Sequence, residues 1–247
     1  MPPDYRDYHM TKTEWLAGLF AGIGIIVIFA YLFYRSLYAI IFLCPIIPFC
    51  IGTQKKRLCK RRLVGLKLQF KDAIQAISAA LQAGYSMENA IIEAHDDMRN
   101  MYGECSLIVS ELEIITGGIR NSRTVEELFL NLARRSGIED IREFAEVLAL
   151  TKRGGGDLVS VIRICSVTIG DKIETSKEIE TLIAAKKLEG RIMDVIPCFM
   201  ILYMDLSSPG FFDVLYQTLF GRVLMTACPA AYLGAILLSE KIMSVEV

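Results

Sequence analysis

The chain has 247 residues, of which 53% are apolar and 22% charged, with a formal net charge of −1. It is more apolar than an ordinary soluble domain, and its neutral balance excludes a dedicated nucleic-acid binder, which carries a basic excess. The seven cysteines are odd in number and lack CxxC or Cys/His spacing, so they define no disulfide framework and no metal site; they read as buried or reduced thiols.

Residues 1–14 are polar, open with two prolines after Met1, and lack the basic start, apolar core and cleavage site of a secretory signal. Thr11 and Glu14 have the spacing of a capping box for the next helix. Residues 15–34 then run uncharged for about 20 positions, the length that crosses a bilayer core. Trp15, Tyr31 and Tyr34 sit near the ends of this run, where an aromatic belt falls. Gly18 and Gly22 stand at GxxxG spacing, which permits close helix contact. After a short break at Arg35 and Ser36, residues 37–53 form a second uncharged run containing Pro45 and Pro48. Together the two runs predict a transmembrane hairpin over 15–53.

Lys55, Lys56, Arg57, Lys60, Arg61 and Arg62 follow at once. Such a cluster beside a span predicts a cytoplasmic flank by the positive-inside rule. It would also attract anionic lipid headgroups, at roughly 1 kcal/mol per basic residue. An even number of spans before it then places the N-terminal segment 1–14 in the cytoplasm as well.

Residues 54–190 read as this basic linker followed by six helices, with no convincing strand alternation. Phe70, Ala73, Ile74, Ile77 and Leu81 form the first apolar stripe at helical spacing. Gly84 is the expected stop and Ser86 the next N-cap. Met87, Ala90, Ile91, Ala94 and Met98 form the second stripe. Ile108, Leu112 and Ile115 form the third, which is expected to stop at Gly117 and Gly118. Thr124 and Glu127 suggest a capping box before Val125, Leu128, Phe129 and Leu132; Arg134 and Arg135 close that helix and Gly137 ends it.

The fifth helix carries Ile141, Phe144, Ala145 and Leu148, with Lys152 and Arg153 at its carbonyl end, where cations suit the helix dipole. Gly154, Gly155 and Gly156 form a hinge, and Asp157 caps the last arm. That arm bears Leu158, Val161, Ile162, Cys165, Ile169, Ile173, Ser176, Ile179 and Ile183, and is expected to end at Gly190. Gly84, Ser86, Ala90 and Ile91 echo Gly155, Asp157, Val161 and Ile162 in spacing and role. A duplicated three-helix unit or two hairpins obeying the same capping rules would both produce this echo.

Residues 191–240 predict a second transmembrane hairpin, with spans over 192–206 and 223–238 and an external, aromatic-rich loop over 207–222. Asp194 and Asp205 lie near the two ends of the first of these spans, where an interface lets carboxylates reach water. Residues 241–247 form a cytoplasmic tail.

No residues assemble a reaction. The three glycines at 154–156 lack the lysine of a nucleotide loop and join two helices rather than a strand and a helix. His95 stands among Glu93, Asp96 and Asp97 without a second histidine, so a solvated helix edge fits better than a metal or acid–base site. Ser78 and Ser86 have no histidine partner nearby in sequence. The expectation is a protein that is not an enzyme, with no catalytic, cofactor-binding or metal-ligating residues.

At this point four stretches resemble a known family. Leu81 to Ala90 (LQAGYSMENA) resembles the opening helical hairpin of type II secretion system F-domain proteins. Phe144 to Leu158 (FAEVLALTKRGGGDL) looks like their later hairpin, and Ala184 to Ile192 (AAKKLEGRI) like the helix that enters their membrane span. Ser208 to Gly221 (SPGFFDVLYQTLFG) is similar to their external stretch. The likeness covers Leu66 to Ser239; with one F domain between two membrane hairpins it is nearest the tight-adherence (Tad/Flp) pilus platform proteins, TadB- and TadC-like.

The resemblance implies an all-α fold, a six-helix cytoplasmic F-domain bundle between two transmembrane hairpins, in the bacterial cytoplasmic (inner or plasma) membrane with both termini cytoplasmic. It implies a platform for pilus assembly or type II-like protein secretion. The implied partners are a secretion ATPase, a second F-domain platform protein, pilin subunits and the lipid bilayer, in a homo- or hetero-oligomer, with no nucleic acid. The third glycine of the 154–156 hinge departs from the family's two-glycine version. The alternative from the residues alone is a small polytopic transporter or channel subunit, which draws on Asp194 and Asp205; a membrane-bound enzyme is a third reading, opposed by the missing catalytic constellation.

Overall fold

The computed structural model describes Tyr5, isolated positions between 13 and 24, residues 46–154 and 157–208, and scattered positions between 221 and 239. Among these residues the chain is all-α. Helix α1 spans Ile46–Gln82, α2 Met87–Tyr102, α3 Leu107–Arg120, α4 Val125–Ser136, α5 Glu139–Gly154 and α6 Leu158–Ser207. Most of the expected spans 15–34, 37–53 and 223–238, most of the loop 207–222, the Thr11–Glu14 cap and the hinge residues Gly155 and Gly156 lie outside the described residues.

Residues 1–9 and 55–175 form one compact unit; residues 10–54 and 176–247 form another. The expected helical block 54–190 is therefore divided, with 176–190 grouping with the residues that follow.

The core of the first unit is built from the stripes. Phe70, Ala73, Ile74, Ile77 and Leu81 of α1 are buried, as are Met87, Ala90, Ile91, Ala94 and Met98 of α2. Ile108, Leu112 and Ile115 of α3 join them, with Val125, Leu128, Phe129 and Leu132 of α4 and Ile141, Phe144, Ala145 and Leu148 of α5. From α6, Ile162, Ile169 and Ile173 are buried, while Leu158 and Cys165 pack against the core from its rim. At the centre three rings meet edge to face. The Phe70–Phe144 centroids are 5.7 Å apart at 81°, Phe129–Phe144 5.2 Å at 74°, and Phe70–Phe129 6.5 Å at 64°. In these arrangements the positive ring edge meets the negative face, worth about 0.5–1.5 kcal/mol per pair beyond area burial. The cluster ties α1, α4 and α5 together.

The helix ends follow local chemistry. Gly84 adopts φ +94°, and the Tyr85 and Gly84 amides donate back to the Ala80 and Leu81 carbonyls, a Schellman close to α1. Ser86 then caps α2, its Oγ accepting from the Asn89 amide at 3.4 Å. Ser106 caps α3 through the Val109 amide at 3.4 Å. The Gln69 side chain of α1 adds a second acceptor there, taking the Ile108 amide at 3.1 Å. Gly137 closes α4 in the left-handed region at φ +66°. Thr124 holds the N-cap position of α4 but makes no side-chain cap bond, so the Thr124–Glu127 capping box is not formed.

Three further expectations are corrected. The basic linker is not a linker: 54–65 is continuous helix within α1. Lys, Arg, Leu and Gln are good helix formers, and the isolated Gly65 is too small a penalty to break the run. Pro48 falls in the first turn of α1, where a missing N–H costs nothing. Helix α3 does not stop at Gly117 and Gly118 but runs to Arg120, and Ser122 takes the left-handed position instead, at φ 58°. Gly118 serves packing rather than termination, because an added Cβ there would collide with the methyl carbons of Leu128. Helix α6 likewise passes Gly190 and Pro197 and ends only at Ser207. A lone glycine costs a helix about 1 kcal/mol and does not end it unless the chain turns left-handed there.

Gly118→Ala should lower the stability of the full-length protein by about 1–3 kcal/mol, the usual cost of overpacking. Gly117→Ala, with open space around its Cβ position, should be neutral or slightly stabilising. Circular dichroism melts in detergent would measure both; equal melting temperatures for the two variants would show that Leu128 does not fill the Gly118 notch.

Candidate functional site

The basic cluster divides by role. Lys55, Lys60 and Arg61 are exposed on α1, and of Lys56 and Arg57 only the helical backbone is described. Arg62 differs: its guanidinium lies over the Tyr5 ring, 5.2 Å from the centroid. Stacking of this kind is a cation–π contact, stronger where water is excluded.

Tyr5 itself is buried, 2% exposed, although it belongs to a segment that reads as a polar tail. Its hydroxyl donates to Glu111 Oε1 at 2.7 Å. Arg135 grips the same carboxylate with both terminal nitrogens, Nη1 to Oε1 at 2.7 Å and Nη2 to Oε2 at 2.5 Å. The Tyr5 amide donates to the Arg135 carbonyl at 3.3 Å, and the Cys59 thiol donates to the Tyr5 carbonyl at 3.6 Å. Burial raises the Tyr5 hydroxyl pKa well above its ordinary value, and the neighbouring Glu111 adds to the effect. Glu111 is fully buried on the core side of α3. One carboxylate thus joins α3, α4 and the N-terminal segment, and Tyr5 extends the junction to α1.

A second buried carboxylate, Asp140 in the first turn of α5, accepts from Lys67 of α1 at 2.8 Å and Lys172 of α6 at 2.7 Å. Burial alone would push Asp140 up; the Lys172 and Lys67 ammonium groups outweigh it and hold the carboxyl below its ordinary range. The same contact with Asp140 raises Lys172. Lys152 near the end of α5 reaches Glu126 in the first turn of α4 at 2.8 Å.

Asp157 caps α6 as expected: Oδ1 accepts the Val159 amide at 3.1 Å and Oδ2 accepts the Ser160 hydroxyl at 2.6 Å. These bonds hold its carboxyl below the ordinary range. Gly84 and Ser86 form the α1–α2 turn, and Gly154 is the last residue of α5. Gly84, Ser86 and Asp157 are therefore turn and cap residues, and Gly154 closes α5.

Asp194 and Asp205 both lie on α6, about three turns apart and so on one helix face, each half-buried. Much of the rest of that stretch is exposed apolar surface, with Ile201 and Leu202 half-buried. Ile192, Val195, Ile196, Phe199, Met200 and Tyr203 face outward, Phe199 at 68% and Tyr203 at 65% exposure, and with Arg191 they line an open groove. Contiguous exposure of this size marks an apolar partner or a membrane, unlike scattered surface hydrophobics. Among the described residues, however, no helix is long and apolar enough to cross a membrane. The apolar run 192–206 falls short of the roughly 20 residues a bilayer core needs and carries two aspartates.

His95 sits at a helix edge with Nδ1 3.1 Å from Asp96 Oδ1. Among the described residues no three metal-ligating side chains gather. Cys59 and Cys165 are half-buried, whereas Cys105 and Cys228 are exposed free thiols.

The sequence reading missed Tyr5, Glu111, Arg135 as a carboxylate ligand, Asp140, Lys67 and Lys172. A signal existed for the two acids: Glu111 falls three residues after Ile108, on the buried stripe, and Asp140 falls four before Phe144. A charge on a core stripe demands a partner. No pattern could have supplied Tyr5.

No protein-family model matches the chain, and neither a curated protein nor a solved structure matches it.

Asp140→Asn should lower stability near neutral pH by about 1–3 kcal/mol, because two lysines lose their shared partner. The sign with pH follows from the lowered folded-state pKa of Asp140. Its contribution is present above the unfolded value near 3.8 and is lost as pH falls through the lower folded value. Melting temperatures of the wild type and the variant should therefore differ at pH 7 and converge at acid pH; a constant difference down to pH 2 would show that the Asp140 charge contributes nothing.

Proposed function

We propose that the chain is an integral membrane platform protein of a Tad-type pilus or type II-like secretion system. In this role it couples a cytoplasmic secretion ATPase to pilin assembly and export, without enzymatic chemistry of its own. The observation that carries the reading is the exposed apolar stretch of α6 between Ile192 and Leu206, which follows an all-helical unit. An apolar face open to water is unfavourable at about 25 cal/mol per Å2; a bilayer or an apolar partner removes that cost.

Topology adds support. Tyr5 lies in the core of the unit that contains 55–175. A chain that crossed a bilayer between residues 9 and 55 would have to return to the same side, so any spans in that interval would be even in number. The hairpin over 15–53 meets this requirement, and the exposed Lys55, Lys60 and Arg61 fit a cytoplasmic flank. Helix α6 carries residues of both units, and in this reading it passes ATPase-driven displacement toward the bilayer. The transporter alternative rests on the shared face of Asp194 and Asp205.

Two measurements test the proposal. The full-length protein should stay in the membrane fraction through carbonate extraction, and its affinity purification from membranes should retain a hexameric ATPase and pilin. In intact cells an impermeant thiol reagent should label a cysteine placed at Ser208 and not one placed at Asn121. Release by carbonate, or labelling with the opposite polarity, would overturn the topology; solute flux from proteoliposomes that is abolished by Asp194→Asn would favour the transporter.

A further inference from the structure

Between residues 182 and 203 helix α6 has two unlike sides. Ile183, Lys187, Gly190, Asp194 and Ile201 are half-buried and share one face. The opposite side is exposed, and it repeats every seven residues. Leu182, Glu189, Ile196 and Tyr203 stand at one position of the heptad; Ala185, Ile192 and Phe199 stand at a second, three residues later. All seven are exposed, Leu182 at 73% and Ile192 at 55%. Leu188, Met193, Val195 and Met200 flank this seam and are exposed as well. The seam keeps its place on the helix for three heptads, about 30 Å. A seven-residue repeat held over that length is what a second helix reads, each side chain entering a hole between four side chains of the partner.

We propose that this seam joins two copies of the chain through parallel, in-register α6 helices. The character of the seam changes at Gly190. Before it, Leu182 and Ala185 stand among Thr181, Lys186 and Glu189. After it, residues 192–203 carry a single charge, Asp194, on the half-buried side. A partner helix must therefore pass from polar to apolar surroundings at the same height. The same helix of a second copy does so by symmetry, and a two-fold axis along the seam closes the contact. The parallel orientation rests on the membrane reading above, because copies inserted with one topology point the same way. Glu189 then faces its own copy. Its neighbour Lys186, 3.0 Å away on the same helix, offsets part of the repulsion. A single charged residue in such a seam costs stability and fixes the register.

Photo-crosslinking in native membranes tests the pairing. Benzoylphenylalanine replaces Leu182, Phe199 or Ile201 in full-length protein, co-expressed with a copy that carries a different tag. Leu182 and Phe199 should each give a product containing both tags, at least about tenfold more than Ile201, whose face lies away from the seam. Adding Glu189→Leu should raise the Leu182 yield about threefold or more, since two like charges leave the seam. Adding Ile196→Glu should lower the Phe199 yield about tenfold or more; where that variant does not reach the membrane, the Glu189→Leu result decides. A product from only one of Leu182 and Phe199, or an equal yield from Ile201, overturns the seam. Crosslinks to lipid or to another protein alone assign the face to a different occupant and overturn pairing between copies. A Glu189→Leu yield that is unchanged or lower overturns the register. Protein that resists carbonate extraction yet gives no two-tag product overturns the seam and leaves the membrane reading standing; protein released by carbonate that still gives both products does the reverse.

Discussion

A carboxylate removed entirely from water is the constraint on which this structure turns. Glu111 lies on the buried stripe of α3, among Ile108, Leu112 and Ile115. A buried charge costs several kcal/mol unless it is paired and its remaining lone pairs are bonded. The bidentate Arg135 answers the charge, and the Tyr5 hydroxyl answers a further lone pair. Because those partners come from α4 and from the start of the chain, satisfying one side chain dictates where two other segments must lie. No buried side-chain polar atom among the described residues is left without a partner.

Asp140 meets the same demand in another way. It accepts from two lysines whose ammonium groups remain partly in water, 29% exposed for Lys67 and 48% for Lys172. Partial solvation reduces the cost of assembling the group and also reduces what it contributes. The two acids therefore divide the work. Glu111 specifies geometry, since a fully desolvated, bidentate pair tolerates little displacement. Asp140 draws α1 and α6 to the start of α5 with longer, more adaptable arms. The apolar stripes supply most of the driving force, and these polar contacts select which of the similar helix arrangements forms.

Helix α6 changes character along its length. From Leu158 to Ile173 it has one buried face, as a surface helix of a bundle should. From Ile192 to Leu206 most of the large apolar side chains are exposed, while Ile201 and Leu202 are half-buried, as are the carboxylates Asp194 and Asp205. Contiguous apolar exposure of this kind is unfavourable in water and is relieved by a partner surface.

How much of this was legible beforehand can be judged residue by residue. Helical period placed Phe70, Ile91, Leu112, Phe129, Phe144 and Ile162 in the core, and all six are there, because burial on a helix is a local, periodic property of the chain. Gly84, Ser86, Gly137 and Asp157 were legible as stops and caps for the same reason: a cap bonds amides or carbonyls within a few residues. Local rules failed where a distant neighbour decided. Gly118 is a glycine because Leu128 of α4 occupies the space of its Cβ, not because α3 ends there. The run from Lys55 to Arg62 continues α1, and Arg62 within it turns to Tyr5 rather than to solvent or lipid. Tyr5 meets Glu111 across 106 residues, and no periodicity links them. The sequence by itself determined which residues form helices and which faces of them must leave water. Only the tertiary structure decided how the buried charges are paired, because a charge on a stripe announces that it needs a partner and says nothing about where in the chain that partner lies.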